Sequence, residues 1–134
     1  MEKHTIYLAG GCFWGMEAFM RQLPGVLEVR AGYANGHTTT APTYEAVCRQ
    51  DTGHAETVEV IYDPSELPLA LLVQAFLAVI DPTSLNKQGN DRGSQYRSGM
   101  YYTKETERPL LEAMLRQEQV HYAQPIVTEL EPLR

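Results

Sequence analysis

The chain has 134 residues, 43% of them hydrophobic, which is enough for one globular domain with a real core. With 17 acidic against 11 basic residues the net charge is −6, which disfavours nucleic acid and anionic membranes as partners, and no apolar run approaches the length of a membrane span. Two cysteines, Cys12 and Cys48, are too few for a disulfide framework and fit a reducing compartment, the cytosol; a domain excised from a longer exported parent has the same signature.

Residues 4–9 read as a strand, entered at once from Met1 with no signal peptide ahead of it. It runs into Gly10-Gly11-Cys12-Phe13-Trp14-Gly15, and a helical pattern follows from about residue 14 to 22, ended by Pro24-Gly25. Cys12 therefore lies where a strand passes through a glycine turn into a helix N-terminus. Free N–H groups and the positive end of the dipole stabilise a thiolate there, and the thiolate is the nucleophile. Phe13 and Trp14 suit an apolar wall beside the sulfur. A small buried cysteine in a glycine turn is the structural alternative, and the coincidence of turn, helix start and paired aromatics favours the reactive one.

Val26 to Tyr33 reads as a second strand, with Leu27 and Val29 alternating with Glu28 and Arg30. A polar loop follows from His37 to Pro42, then one or two helical turns from Thr43 to Cys48. Ala55 to Asp63 is the clearest strand, with Glu56, Val58, Val60 and Tyr62 on one face. Pro68 opens an apolar helix that Asp81-Pro82 stops. Asn86 to Arg97 is a polar loop too long for a mere connector. Gly99 to Tyr102 reads as a strand, Glu107 to Tyr122 as a helix with Pro109 in its first turn, and Ile126 to Leu130 as a last strand. The alternation predicts an α/β two-layer sandwich with a mixed sheet, one domain over residues 1–134.

Glu56 starts the face that carries Val58 and Val60. Burial there raises a carboxyl pKa and makes it a general acid near neutral pH; a solvated strand mouth is the equal alternative, given the Gly53-His54 turn. Tyr44 and Tyr96 lie in turn-rich segments where a phenol can donate into a cleft, whereas the other six tyrosines read as core rims. Asp91, inside a glycine loop, is a turn former or a hydrogen-bond organiser. His54-Ala55-Glu56 has the H-x-E form of zinc deaminases, but the Pro-Cys-x-x-Cys partner motif is missing from the sequence, so no metal is expected.

Gly11-Cys12-Phe13-Trp14-Gly15 resembles the signature of the type A peptide methionine sulfoxide reductases. Further motifs match in order: Gly32-Tyr33, Pro42-Thr43-Tyr44-Glu45, Val47-Cys48, Thr52-Gly53-His54-Ala55-Glu56, Asp81-Pro82-Thr83, Gln88-Gly89-Asn90-Asp91 and Gly93-Ser94-Gln95-Tyr96-Arg97-Ser98. The match is specific from Tyr7 to Arg97 and looser beyond. The resemblance implies a ferredoxin-like α/β sandwich. It implies that Cys12 attacks the sulfur of an S-sulfoxide and that Glu56 protonates the oxygen. Tyr44 and Tyr96 then hydrogen-bond that oxygen, Phe13 and Trp14 hold the methyl group, and Asp91 organises polar groups nearby. Methionine leaves, and Cys12 remains as a sulfenic acid, which a thiol reduces. No bound cofactor is implied; the substrate is methionine sulfoxide in peptides and proteins.

The family often carries resolving cysteines near the C-terminus, and this chain has none after Cys48. The chain is a short form or a piece of a longer protein. Cys48 aligns with a position that is usually structural, so an external thiol is expected: thioredoxin, a glutaredoxin system or dithiothreitol. Two other readings stay open, a sulfoxide-recognising domain that reduces its substrate once and a thiol peroxidase, which has no use for a methyl pocket.

Overall fold

Period-two alternation decides which face of the sheet is dry. In the computed structural model, which describes residues 3–11, 13–34, 55–84, 87, 88, 91, 92 and 96–133, Ile6 and Leu8 of β1 (His4–Ala9) are buried on one face. Val58, Val60 and Tyr62 of β3 (Ala55–Tyr62) and Met100 and Tyr102 of β6 (Gly99–Tyr102) join them in one core. With β2 (Val26–Ala34) and β7 (Glu129–Pro132) these strands form a five-stranded sheet of order β2-β3-β1-β6-β7. The β2–β3, β3–β1 and β1–β6 pairs are antiparallel and β6–β7 is parallel, so the sheet is mixed.

Helix α1 (Phe13–Arg21) links β1 to β2, and α2 (Leu69–Val79) links β3 towards β6. Each returns its chain to a strand one place removed, with another strand between, which is the split β-α-β arrangement of the ferredoxin-like sandwich. Phe13, Met16 and Met20 of α1 lie on one stripe at spacings of three and four, and Leu72, Val73, Phe76 and Leu77 of α2 form another. Both stripes and Leu111 of α3 (Arg108–Gln119) cover the same sheet face. A fully buried Phe76 contributes on the order of 2–3 kcal/mol by area alone. Among the described residues, no helix is long and apolar enough to cross a membrane.

Local chemistry moves several expected boundaries. Leu27 is the extra residue of a β-bulge between Val26 and Glu28, so it is exposed rather than sharing the buried face of Val29. Helix α3 starts at Arg108 after a 3-10 turn (Glu105–Glu107) and ends at Gln119 rather than Tyr122. There the Gln119 amide takes over the backbone: Nε2 donates to the Gln124 carbonyl at 2.8 Å and Oε1 accepts from Ile126 N–H at 2.8 Å. The last strand starts at Glu129, not Ile126, because Val127 N–H donates to the Pro82 carbonyl instead of to a neighbouring strand. The polar loop read at 86–97 contains a small ribbon, β4 (Lys87–Gln88) paired with β5 (Asp91–Arg92). Tyr62, Tyr101 and Tyr102 are fully buried rather than core rims. The helical turns expected at 43–48 lie outside the described residues.

Candidate active site

Three elements meet where β1 gives way to α1. The connection turns on Gly11, whose φ of +86° suits glycine, and a Cβ added there would sit 2.8 Å from Gln88 Cβ. A Cβ on Gly10 would meet Ile80 Cγ2 at 2.5 Å. The turn therefore runs tight against the end of α2 and the β4–β5 ribbon, which is the physical reason for two consecutive glycines. Cys12 itself lies outside the described residues; its sequence neighbours Gly11 and Phe13 do not.

Phe13 opens α1, and its N–H is among the donors that an α-helix leaves unpaired. It donates to Glu56 Oε1 at 3.2 Å. Glu56 is 1% exposed, on the same face of β3 as Val58, Val60 and Tyr62. The alternative of a solvated strand mouth is thereby excluded: the carboxyl lies inside the protein, against the residue that follows Cys12. Two opposed effects act on such a carboxyl. Burial disfavours its charge, and a helix N-terminus favours it.

Aromatic rings surround this point. Tyr33 of β2 is the cross-strand partner of Glu56, and its ring centroid is 5.5 Å from that of Phe13. The Trp14 ring centroid lies 5.3 Å from that of Phe13 and the residue is 63% exposed, so Phe13 is the buried element and the indole is the outer rim. Tyr96 is partly buried and precedes Arg97, whose Nε donates to Glu129 at 2.8 Å. Asp91 pairs with Gln88 in the ribbon. Its side chain, like Tyr44 and Cys48 as whole residues, lies outside what the structure describes.

Two residues join the site that the sequence reading passed over. Tyr33 was grouped with the rim tyrosines, and only the β2–β3 register places it beside Glu56. Gln88 is the second. Its Oε1 accepts from Asp81 N–H at 2.9 Å and its Nε2 donates to the Asp81 carbonyl at 2.8 Å, while its stem faces Gly11. One amide thus fixes the ribbon to the end of α2 and closes over the glycine turn. Among the described residues, no three His, Cys, Asp or Glu side chains gather as a metal-ligand set.

Sequence and structure comparisons converge on one family. The family model described as peptide methionine sulfoxide reductase matches residues 4–134. Peptide methionine sulfoxide reductase MsrA of Lachnoclostridium phytofermentans is 51% identical over 129 residues, spanning 96% of this chain and 77% of that protein. The crystal structure of Mxr1 from Saccharomyces cerevisiae in reduced form superposes with a TM-score of 0.93 at 34% identity, covering 99% of this chain and 77% of that one. Mxr1 in complex with Trx2 superposes with a TM-score of 0.74 at 26% identity, covering 99% of this chain and 78% of that one.

Proposed function

The chain belongs to the peptide methionine sulfoxide reductase family, and from that premise we infer how its site performs the reaction. The protein is an oxidoreductase that returns methionine sulfoxide in peptides and proteins to methionine. We assign the attack on sulfur to the Cys12 thiolate and the protonation of oxygen to Glu56. The carrying observation is the buried Glu56 carboxyl bonded to Phe13 N–H, next in sequence to Cys12.

The chemistry needs that pairing. A sulfoxide oxygen is a poor leaving group until it is protonated, so the acid belongs within reach of the atom that the thiolate activates. A neutral carboxyl accepts the Phe13 N–H through its carbonyl oxygen and carries its proton on the other. Tyr44 and Tyr96 donate to the same sulfoxide oxygen, and Asp91 orders the polar groups around it. The apolar methyl group rests against Phe13, with Trp14 as the outer wall. Attack joins the Cys12 sulfur to the methionine sulfur, and the oxygen, once it has taken two protons, leaves as water. A water then adds to the Cys12 sulfur as the S–S bond breaks, releasing methionine and a proton and leaving Cys12 as a sulfenic acid. One external thiol condenses with the sulfenic acid to a disulfide, releasing water, and a second thiol reduces that disulfide.

The reductant is a protein dithiol of the thioredoxin kind. The complex of Mxr1 with Trx2 supports that choice. We place the protein in the cytosol, where such dithiols are kept reduced. We read residues 1–134 as a single catalytic domain and assign it the S epimer.

The deciding experiment is turnover on the separate S and R epimers of a peptide methionine sulfoxide with dithiothreitol. Sustained reduction of the S epimer alone is expected. Reduction of the R epimer would overturn the epimer assignment. One equivalent of methionine followed by a stall would make the chain a single-turnover domain.

A further inference from the structure

Tyr96 is followed by backbone that is bound to residues thirty or more positions away. The chain on its C-terminal side, Arg97 and Ser98, is bound to one short stretch before the C-terminus. Glu129 N–H donates to the Ser98 carbonyl at 3.0 Å, and the Ser98 and Thr128 hydroxyls lie 2.8 Å apart in a buried pair. The Glu129 carboxylate accepts at Oε1 from both Arg97 Nε, at 2.8 Å, and Tyr101 hydroxyl, at 2.7 Å. The same stretch holds Pro82, where the interval leading to Tyr96 begins. Val127 N–H donates to the Pro82 carbonyl at 2.7 Å, and the Thr128 hydroxyl reaches it at 3.5 Å.

We propose that Val127-Thr128-Glu129 is a clasp whose side chains, Thr128 and Glu129, are positioning residues for Tyr96. The proposal rests on the reading of Tyr96 as a donor to the sulfoxide oxygen. A phenol serves such a transition state only if its oxygen is held to within about half an ångström. Three consecutive residues bind both Pro82 and Ser98, the two ends of the interval that contains Tyr96. Within the clasp the charge-assisted bond is the strong one. The Arg97 side chain is 13% exposed and that of Glu129 34%, so the pair is partly sheltered from water and salt. Tyr101 fixes the carboxylate from the far side. Its phenol is fully buried, and burial with the Glu129 charge beside it pushes its pKa far up, so it stays a donor throughout the working range. The effect of the clasp passes through the backbone of Arg97 and Ser98.

The test is a double-mutant cycle read in single turnover, with peptide methionine sulfoxide as substrate. Tyr96→Phe slows the maximal rate. Glu129→Gln slows it about tenfold, the usual order for coupled contacts, with half-saturation unchanged within about twofold. Combined with Tyr96→Phe, Glu129→Gln adds no further loss. A full multiplicative loss in the double variant, or an unchanged rate in Glu129→Gln, overturns the clasp and leaves the role of Tyr96 standing. An unchanged rate in Tyr96→Phe overturns both. If Glu129→Gln does not fold, Thr128→Val runs the same cycle. Thr128→Ser, which keeps the hydroxyl, retains the parental rate; a loss there equal to that of Thr128→Val overturns the proposal.

Discussion

The two ends of β3 present the same face to the same interior, and they do different work. Glu56 at one end is 1% exposed and Tyr62 at the other is 0% exposed. Both carry a titratable group into the protein. Tyr62 meets the edge of the His4 ring at 5.9 Å and belongs to the main apolar core. Glu56 meets the start of a helix, through Phe13 N–H, beside the only Gly-Gly-Cys in the chain. Burial alone therefore does not mark a reactive group. The role proposed for Glu56 rests instead on its bond to the N–H of Phe13, the residue that follows Cys12.

The comparison breaks most sharply at the reactive end. Cys12→Ser abolishes sulfoxide reduction in a protein that still folds, and any residual turnover in that variant places the nucleophile elsewhere. Glu56→Gln keeps the shape and the acceptor for Phe13 N–H but has no proton to give. Its rate falls by about two to four orders of magnitude, while its thermal midpoint stays close to that of the parent. Rate measurements and a melting curve on one preparation check both halves. A near-normal rate removes Glu56 from the mechanism.

Smaller effects come from the two glycines held at positive φ among the described residues, one near each end of β3. Gly11 has φ +86° and Gly25 has φ +96°; a Cβ on the first would sit 2.8 Å from Gln88 Cβ, and one on the second 2.6 Å from Leu67 Cβ. Alanine at either position loses about 1–2 kcal/mol to the left-handed backbone before any contact is counted. The two variants therefore lose comparable stability in denaturant titrations. Only Gly11→Ala also loses activity per folded molecule, because its turn carries Cys12 and its neighbour Gln88 anchors the ribbon that bears Asp91. Equal activity in the two variants would show that the glycine turn positions nothing.

How far the sequence reveals this arrangement depends on the range of each interaction. The phase of Glu56 is legible because it is local, a period of two shared with Val58 and Val60, but phase alone leaves a solvated strand mouth as the equal alternative, and only the fold buries the carboxyl. The glycine turn before Phe13 is legible because it too is local. Tyr33 is not, since its place beside Glu56 is set by pairing of β2 with β3 across twenty intervening residues, 35–54. Gln88 is legible as part of a motif but not as a clamp, because its partners Asp81 and Gly11 come from two other elements. The C-terminal boundaries fail on the same ground. The Gln119 amide ends α3 and the Pro82 carbonyl delays β7, and both are contacts that no local pattern announces. At Cys12, Tyr44, Cys48 and the Asp91 side chain the sequence still stands alone.

The smallest effect belongs to Tyr62, and it separates structural burial from catalytic burial by pH. Burial, with a lesser push from the Glu107 carboxylate, raises the Tyr62 pKa from 10.0 to about 12. Among the described residues its hydroxyl has no hydrogen-bond partner. Tyr62→Phe removes that unsatisfied group, so the variant is as stable as the parent at pH 7 or more stable by about 1 kcal/mol. Above pH 10 the sign is fixed by linkage. The unfolded chain releases the Tyr62 proton near pH 10 while the folded chain holds it to about pH 12, so the parent loses stability across that window, by at most about 2–3 kcal/mol from this group. Tyr62→Phe flattens that part of the curve, while Tyr7, raised to about 12 by its own burial and by Glu59, and Tyr101, raised by its burial and by Glu129, keep part of the slope. Denaturant titrations from pH 9 to 12 read the difference. An equal slope in parent and variant would mean that the phenol ionises in the folded state as it does in water. The activity per folded molecule at neutral pH should not move, because Tyr62 is buried like Glu56 but lies at the opposite end of β3 from the residue bonded to Phe13 N–H.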